Sequence, residues 1–251
     1  MTLRRPATAA LLAALFAAPV ARAADPSALW KIVDGRCVPD ERMHAAPAPC
    51  ETVDLAQGYA VLKDIRGREQ YLLIPTRRLG GIESPELLQP QTPNYFAAAW
   101  QQAPLVEARV GHSLPRDDLS LAINSAYGRS QNQLHIHIDC ISTAAHAILQ
   151  SRSGTIGSRW TRLPPIAGVA YRAMFIAGET LGPHDPFRLL AASLHDTRRE
   201  MGRHTLVLVG TSVPRPGFFL LDGELDRLRL DFASGEELQD HACRIAGTPL
   251  H

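Results

Sequence analysis

The stretch Ser130-Gln131-Asn132-Gln133-Leu134-His135-Ile136-His137-Ile138-Asp139-Cys140 ends in a strict alternation of apolar and polar residues. Successive side chains of a β-strand point to opposite faces of a sheet, so we expect His135, His137 and Asp139 on one face. The opposite face, towards the core, would carry Ile136, Ile138 and Cys140. Two imidazoles about 7 Å apart along a strand can divide labour, one as nucleophile or ligand and one as its orienter or proton carrier. This pattern indicates an enzyme.

Two other interpretations of the histidine pair stay open. A polar strand edge often carries solvated histidines that have no chemical role. Imidazole is also the commonest metal ligand, so His135, His137 and Asp139 together suit a periplasmic metal-binding protein. No His-x-x-x-His, Cys-x-x-Cys or His-x-x-Glu-His motif accompanies them, and we expect no metal or other cofactor.

A polar, turn-rich stretch from residue 124 to 131 precedes the histidines and separates two apolar runs, 119–124 and 134–140. A hairpin would place that turn beside the imidazoles. The arrangement resembles the histidine-triad superfamily, whose active strand alternates histidines with apolar residues after a Gly-Gln or Ser-Gln step, with an Asn in the preceding strand. The matching residues are Asn124, Ser130, Gln131, His135 and His137.

An upstream block, residues 59–65 and 70–76 around a turn at Gly67, resembles the first hairpin of the same superfamily. In that hairpin an Asp, here Asp64, holds the ribose hydroxyls. The chain departs from the superfamily pattern at two positions. The third histidine position is Asp139, and a hairpin position where many relatives carry a fourth histidine is Gln70.

Several short strings follow in the order typical of one family, the CDP-diacylglycerol pyrophosphatases. They are Gln70-Tyr71-Leu72-Leu73-Ile74-Pro75-Thr76, Glu83-Ser84-Pro85, Thr92-Pro93-Asn94, Leu121-Ala122-Ile123-Asn124-Ser125, the His-Ile-His-Ile segment, Ser158-Arg159-Trp160 and Asp240-His241-x-Cys243. Each string alone is weak, but their ordered occurrence from about residue 29 to 243 makes the resemblance specific.

The resemblance implies a cofactor-free hydrolase that splits the membrane lipid CDP-diacylglycerol into CMP and phosphatidate. The central histidine, here His137, would attack the phosphorus next to cytidine and form a cytidylyl-histidine intermediate, with His135 and Gln131 orienting it. The residues expected to contact the substrate are Asp64, Asn124, Ser130, Arg129 and Lys63. A transferase that passes the same group to an acceptor other than water is the alternative.

The N-terminus predicts export. Residues 1–23 contain Arg4 and Arg5, an apolar run from 7 to 20 and the cleavage motif Ala21-Arg22-Ala23, which together are typical of a secretory signal peptide. The run of about 14 residues is shorter than the roughly 20 that span a bilayer. The family resemblance keeps a second possibility open, an uncleaved N-terminal anchor. Either way we expect the periplasmic face of the inner membrane, at the membrane surface that holds the lipid.

Charge excludes a nucleic-acid partner. Removal of residues 1–23, with three arginines and no acidic residue, changes the formal charge from +1 to about −2. No basic tail or basic stripe remains in the mature chain.

Four cysteines in an exported chain indicate two disulfides, and four cysteines allow three pairings. Cys37 and Cys50 enclose the proline-rich segment 39–49, so their pairing is the most economical. It leaves Cys140 to pair with Cys243.

The order of elements indicates an α+β fold, a HIT-like antiparallel sheet with packed helices. Strands are expected near 58–65, 70–75, 119–124, 134–140, 205–210 and 218–221, and helices near 94–108, 142–150, 186–201 and 234–246. One domain would span 24–251, with an active half about 51–154 and a degenerate half about 155–251. The second half lacks a His-x-His, so the chain would be a single-chain version of a triad dimer with one live site. The sequence pattern does not determine the oligomeric state.

Overall fold

A computed structural model describes residues 25–212 and 215–247. The predicted signal peptide, residues 1–23, lies outside the described residues. The described chain begins with a continuous helical segment: α1 Ala28–Ile32, a π-helix Val33–Cys37 and α2 Val38–His44. In the described ranges, none of the helices combines the length and apolar character needed to cross a bilayer.

The framework is a single nine-stranded sheet in which every neighbouring pair is antiparallel. Its strands are β1 Thr52–Asp54, β2 Tyr59–Lys63, β3 Tyr71–Pro75, β4 Leu119–Ile123, β5 Ile136–Cys140, β6 Thr161–Arg162, β7 Tyr171–Ala177, β8 His204–Thr211 and β9 Gly217–Glu224. They lie in the order β1-β2-β3-β5-β4-β8-β9-β7-β6. The α+β class and the antiparallel sheet predicted from the sequence are therefore confirmed.

The register of the sheet confirms the predicted division of β5 into two faces. Ile136, Ile138 and Cys140 belong to the main apolar core. His137 lies directly between Leu72 of β3 and Ala122 of β4, in a row that continues through Val207 and Leu221. His137 is thus the polar member of an otherwise apolar row on the second face of the sheet, which is the face opposite the main apolar core.

Helices cover the two faces unequally. The main core is closed by α3 Tyr95–Trp100, α4 Pro104–Val110 and α6 Pro186–Ala191, whereas α5 Thr143–Arg152 packs on the second face. On that second face, the N-terminal helical segment covers β1–β3 and α5 covers β8–β9, which gives two separate apolar clusters. The histidines of β5 lie between these clusters.

Several predicted helices are interrupted. The expected helix 94–108 is two helices, because the Asn94 side chain caps α3 and Pro104 begins α4. The expected helix 186–201 is shortened to α6 and a separate α7 Thr197–Glu200. The expected helix 234–246 is absent from the described chain, where 3₁₀ turns at Gly235–Leu238 and Arg244–Ala246 flank Cys243 in a left-handed conformation. Of the nine strands, β1, β6 and β7 were not predicted.

Strands of the second half continue the sheet of the first half through the β4–β8 pair. The eight strands β2–β9 form two adjacent sets of four, and each set consists of two hairpins. From its outer strand inward, the first set is β2-β3-β5-β4 and the second set is β6-β7-β9-β8. The two sets of four strands therefore have the same order.

Both predicted disulfides are present, Cys37–Cys50 and Cys140–Cys243. Two disulfides are typical of an exported protein. The second joins residues separated by 103 positions and fastens the C-terminal segment to the end of β5.

Removing the Cys140–Cys243 bond by a double change to Ala is expected to lower the free energy of unfolding by about 5 kcal/mol, since it closes a loop of about 100 residues. The matched removal of Cys37–Cys50, which closes a 13-residue separation, is expected to cost about 3 kcal/mol. Chemical denaturation followed by circular dichroism measures both. Equal losses for the two variants would contradict this ranking.

Candidate active site

A pocket of about 270 Å³ opens beside the histidines of β5. Its polar lining consists of Lys63, Asp64, Arg66, Asn124, Ser130, Gln131, His135, His137 and Glu236, and its apolar lining includes Leu29, Ile32, Leu62, Ile65 and Leu72. Seven of the eight catalytic and substrate-binding residues predicted from the sequence line this pocket. Arg129 is the one that does not.

His137 is held from one side and free on the other. Its Nδ1 lies 2.9 Å from Nε2 of Gln70, a fully buried residue of the chain just before β3. Its Nε2 is buried, has no hydrogen-bond partner among the described residues, and lies 3.5 Å from Oε2 of Glu236. A buried ring nitrogen without a partner is costly unless a ligand completes it.

His135 lies immediately before β5 and packs edge-to-face on His137, with ring centroids 4.9 Å apart. Its Nδ1 is 2.7 Å from the carbonyl oxygen of Gln133, so Nδ1 carries the proton and donates it. Burial lowers the pKa of His135. Burial, followed by the neighbouring His135, also lowers the pKa of His137 well below its ordinary range. Both imidazoles are therefore neutral at pH 7.

A third imidazole reaches the site from the C-terminal segment. Nδ1 of His241 donates to Oδ2 of Asp139 at 2.7 Å, and Nε2 of His241 lies 3.4 Å from Oε1 of Glu236. The hydrogen bond to Asp139, and then that to Glu236, raises the pKa of His241 to about 10. His241 is thus a cation between two carboxyl groups.

Glu236 is the acidic group nearest His137. Burial alone would raise its pKa, but the hydrogen bond from His241 and that from the Asn124 amide outweigh burial and hold the pKa below its usual range. Asn124 fixes this residue twice, because its Nδ2 donates to Glu236 Oε2 at 3.0 Å and its Oδ1 accepts from the Glu236 backbone N–H at 3.1 Å. Asp139, His241, Glu236, His137 and Gln70 therefore form one continuous chain of groups.

Gln131 lines the pocket but contacts another part of the chain. Its Oε1 accepts from the backbone N–H of Leu29 at 3.1 Å, and its Nε2 donates to the carbonyl of Asp25 at 2.9 Å. The orienting contact predicted for Gln131 is made instead by Gln70. Both ends of the Gln131 amide therefore bind the N-terminal segment, one at α1 and one just before it.

Arg129 requires a correction, since its guanidinium forms a two-point ion pair with Glu83 at 2.6 and 2.7 Å. The group is packed against Gly81 and is nearly buried. Arg129 therefore anchors the loop before β5 and does not line the pocket. Lys63 does line it, but its ammonium donates to the carbonyls of Asp64 and Gly67 at the β2–β3 turn.

The metal interpretation required ligand atoms from His135, His137 and Asp139. In the structure Oδ1 and Oδ2 of Asp139 accept hydrogen bonds from the backbone N–H of Cys140 and from His241. Across the described ranges, the group whose ligand atoms all lie within 4.8 Å of one another is Asp117, Asp118 and His146. That group is outside the pocket.

Three residues of the site were not assigned a role from the sequence: Gln70, Glu236 and His241. In the sequence, Gln70 stands out only as a departure from the triad pattern, and His241 only as part of the Asp240-His241-x-Cys243 string. The predicted Cys140–Cys243 pairing contained a usable signal, because it brings residue 241 close to Asp139. No comparable signal in the sequence pointed to Glu236.

Replacing Gln70 by Ala is expected to lower kcat about 10²-fold, because a small loss of alignment at a reacting group has effects of that size. The change removes the contact to Nδ1 and leaves KM nearly unchanged. Gln131→Ala is the matched control, since it removes an amide of the same pocket that does not contact His137, and its kcat is expected to fall much less. Steady-state kinetics of both variants give the comparison, and equal losses would contradict the role of Gln70.

Two comparisons with known proteins indicate the same family. The family model for CDP-diacylglycerol pyrophosphatase matches residues 24–247. A CDP-diacylglycerol pyrophosphatase of Yersinia pestis is 41% identical over 225 residues, which cover 89% of this chain and 86% of the relative. With this match over nearly the whole described sequence, the chain belongs to the CDP-diacylglycerol pyrophosphatase family.

Proposed function

We propose that this protein hydrolyses CDP-diacylglycerol to CMP and phosphatidate, without a cofactor, through attack of His137 on the phosphorus next to cytidine. The observation that carries the proposal is Nε2 of His137, which is buried in the pocket with no hydrogen-bond partner among the described residues. A neutral imidazole is a suitable nucleophile for an activated phosphoryl group.

In the first step, Nε2 of His137 forms a bond to the cytidine-side phosphorus. The bond from that phosphorus to the bridging oxygen breaks, and phosphatidate leaves with the electron pair. In the second step, water attacks the same phosphorus, the nitrogen–phosphorus bond breaks, and CMP is released. Hydrolysis thus passes through a covalent cytidylyl-histidine and consumes one water molecule.

Gln70 would set the tautomer of the nucleophile. When its side-chain oxygen faces Nδ1 of His137, the ring proton resides on Nδ1 and the lone pair lies on Nε2. In the structure the amide nitrogen of Gln70 faces Nδ1, which puts the ring proton on Nε2, next to Glu236; a half-turn of the amide presents its oxygen and moves that proton to Nδ1. The attacking state is therefore the one in which Gln70 accepts.

Glu236 would act in the second step, as the base that takes a proton from the attacking water. An ionised carboxylate near Nε2 of His137 is correctly placed for this role once phosphatidate has left. His241, which is protonated and itself held by Asp139, keeps Glu236 ionised and oriented.

The lining of the pocket favours a substrate with a polar and an apolar part. Asp64, Asn124 and Ser130 supply polar groups suited to a nucleotide, and Leu29, Leu62 and Leu72 supply an apolar side. A volume of about 270 Å³ lies just below the range of roughly 300–1,000 Å³ typical of ligand pockets. The acyl chains would then remain outside, in the membrane.

We place this activity at the periplasmic face of the inner membrane, where an exported protein meets its lipid substrate. The proposal further includes a second, inactive half. On the histidine face, β9 carries Phe219 and Leu221 and both are buried in the cluster with α5, so the matching strand of the second half has apolar residues where β5 has histidines. The equal strand order of the two halves supports this interpretation.

The pH dependence follows from the burial of His137. Because its pKa is lowered from 6.5, kcat is expected to show no acid limb near pH 6.5. It should fall at alkaline pH as His241 loses its proton near pH 10. The folded-state pKa of His241 is raised, so its ion pairs contribute stability fully below pH 6.5 and lose it as pH rises towards 10. A pH–rate profile measures kcat across this range, and the His241→Asn variant is expected to lack the fall in kcat at alkaline pH. An acid limb centred near 6.5 in the wild type would contradict it.

The test of the proposed function uses CDP-diacylglycerol in detergent with EDTA, in water enriched in ¹⁸O. We expect CMP and phosphatidate in equal amounts, with ¹⁸O incorporated into CMP. Incorporation into phosphatidate would overturn attack at the cytidine-side phosphorus. Transfer of CMP to an added alcohol in place of water would support the transferase, and loss of turnover with EDTA alone would support the metal interpretation.

A further inference from the structure

We infer that an exposed loop beside the pocket docks onto an anionic lipid bilayer and holds the pocket at the membrane surface. The docking patch consists of Leu228, Leu230 and Phe232 with the adjacent Tyr127. This inference rests on the proposed lipid hydrolysis and adds the surface by which the protein meets the lipid.

The exposed large apolar side chains are concentrated in the docking patch. Leu228 is 99% exposed, Leu230 76%, Phe232 51% and Tyr127 48%. Seven large apolar side chains are exposed in the described ranges, and these four come together in one loop and its neighbour. Scattered exposed apolar residues are ordinary, whereas a cluster of them marks an interaction surface.

Hydrogen bonds fasten the docking patch to the wall of the pocket. Ser125 Oγ donates to the carbonyl of Phe232 at 2.6 Å, and the backbone N–H of Ser125 donates to the carbonyl of Ala233 at 3.0 Å. Gly128 lines the pocket and packs so closely on the carbonyl of Phe232 that a Cβ there would lie 2.9 Å from it. The docking patch therefore lies next to the pocket on the side of residues 124–128.

A second exposed apolar group lies on another side of the same pocket. Ile65, at the β2–β3 turn, is 99% exposed and lines the pocket together with Arg66. Apolar side chains and arginines thus border the pocket both at the β2–β3 turn and at the docking patch. A bilayer that contacts both would lie over the opening through which a lipid headgroup enters.

The exposed arginines favour an anionic lipid surface as the partner. Arg227 and Arg229 alternate with Leu228 and Leu230 and both are exposed; Arg229 lies 3.6 Å from Asp226 in an ion pair, and Arg227 has no ion pair among the described residues. Apolar residues that enter the interface, combined with arginines at headgroup level, are typical of proteins that lie on anionic membranes. Arg227 also stacks on the Tyr127 ring, with its guanidinium carbon 5.0 Å from the ring centroid.

The loop is built to present these side chains rather than to bury them. Oδ1 of Asp226 accepts from the backbone N–H groups of Leu228 and Arg229 at 3.0 and 3.3 Å. The backbones of Asp226 and Asp231 exchange two hydrogen bonds, at 3.0 and 2.9 Å. Leu230 has a φ of 57°, in the left-handed region that non-glycine residues seldom adopt. The loop therefore holds its exposed leucines in a defined conformation.

Contact with the bilayer is tested by placing a tryptophan in the docking patch of the full chain. Leu228→Trp is mixed with vesicles of phosphatidylglycerol and brominated phosphatidylcholine, and its fluorescence is expected to be quenched. Leu55→Trp is the matched control, because Leu55 is exposed in the β1–β2 turn, at the other end of β2 from Ile65. The native tryptophans are the same in both variants. Equal quenching in the two, or none at residue 228, would overturn the inference.

Kinetics separate docking from chemistry. The double variant Leu228→Asp/Leu230→Asp is expected to release CMP from CDP-diacylglycerol in these vesicles about tenfold more slowly, on the scale of losing the burial of one leucine side chain. Its rate on CDP-glycerol, which has no acyl chains, should equal that of the wild type. Equal losses on both substrates would overturn the inference.

A shift of the variant from dimer to monomer, with no quenching at residue 228, would assign the patch to self-association instead. Failure of the wild type to release CMP from detergent-dispersed lipid would reject the proposed function itself.

Discussion

Changing His137 to Ala is expected to lower kcat for CDP-diacylglycerol hydrolysis by about 10⁴- to 10⁶-fold, the range seen when a catalytic nucleophile is removed. The change removes the nitrogen that forms the covalent bond to phosphorus, and the pocket offers no second group in the same position. His135 is the nearest imidazole, but its Nδ1 is committed to the carbonyl of Gln133. Initial rates of CMP release measure the effect.

The buried position of His137 requires a control for folding. Because its ring lies in a packed row between Leu72 and Ala122, the Ala variant also creates a cavity. His137→Gln fills most of that space and is expected to lose activity equally while keeping the circular dichroism spectrum and melting temperature close to those of the wild type. Retention of more than about a hundredth of the wild-type rate in a folded variant would exceed what a lost nucleophile allows.

Changing Glu236 to Gln is expected to lower kcat by about 10²- to 10⁴-fold, the usual contribution of a general base. The amide keeps the size of the side chain but cannot take a proton from water. The first step does not need this base, so phosphatidate should appear rapidly, in an amount equal to the enzyme, while CMP appears slowly. Rapid quenching with analysis of both products detects the difference.

Glu237→Gln is the matched control, because Glu237 is the exposed neighbour of Glu236 and does not line the pocket. It is expected to turn over at the wild-type rate. Should Glu236→Gln slow the release of phosphatidate and CMP to the same extent, Glu236 would act before or during the first step. That result would contradict its assignment to the attack of water.

The alternation around His135 and His137 was enough to predict the strand, its faces and its core side from the sequence. Period-two patterns are reliable in this way because a one-residue shift would bury the wrong side chains. The disulfides were also predictable, since two cysteines enclosed a proline-rich segment. The α+β class followed from the order of strands and helices.

The C-terminal segment was not predictable to the same degree. Residues 234–246 contain enough apolar and charged residues to suggest a helix, but the Cys140–Cys243 bond and the contacts of Glu236 and Asn124 hold them in 3₁₀ turns. These are tertiary contacts, which local patterns do not report. The acidic part of the site depended on this segment and therefore emerged only from the structure.

Arg129 illustrates the opposite error. This arginine, one residue before the Ser-Gln step, was expected to contact the substrate, and a guanidinium does form forked hydrogen bonds with phosphate. The same forked geometry serves Glu83 equally well. Sequence proximity to a site therefore predicts that a residue is near the substrate only when no other partner takes its charge.

The most direct measurement is peptide mass mapping of the protein after rapid acid-free quenching of a single turnover with CDP-diacylglycerol, using the wild type and Glu236→Gln. We predict a cytidylyl group on His137, present briefly in the wild type and accumulated in Glu236→Gln. CMP release from the wild type with no labelled protein at any time, or a label on a residue other than His137, would contradict the proposed mechanism.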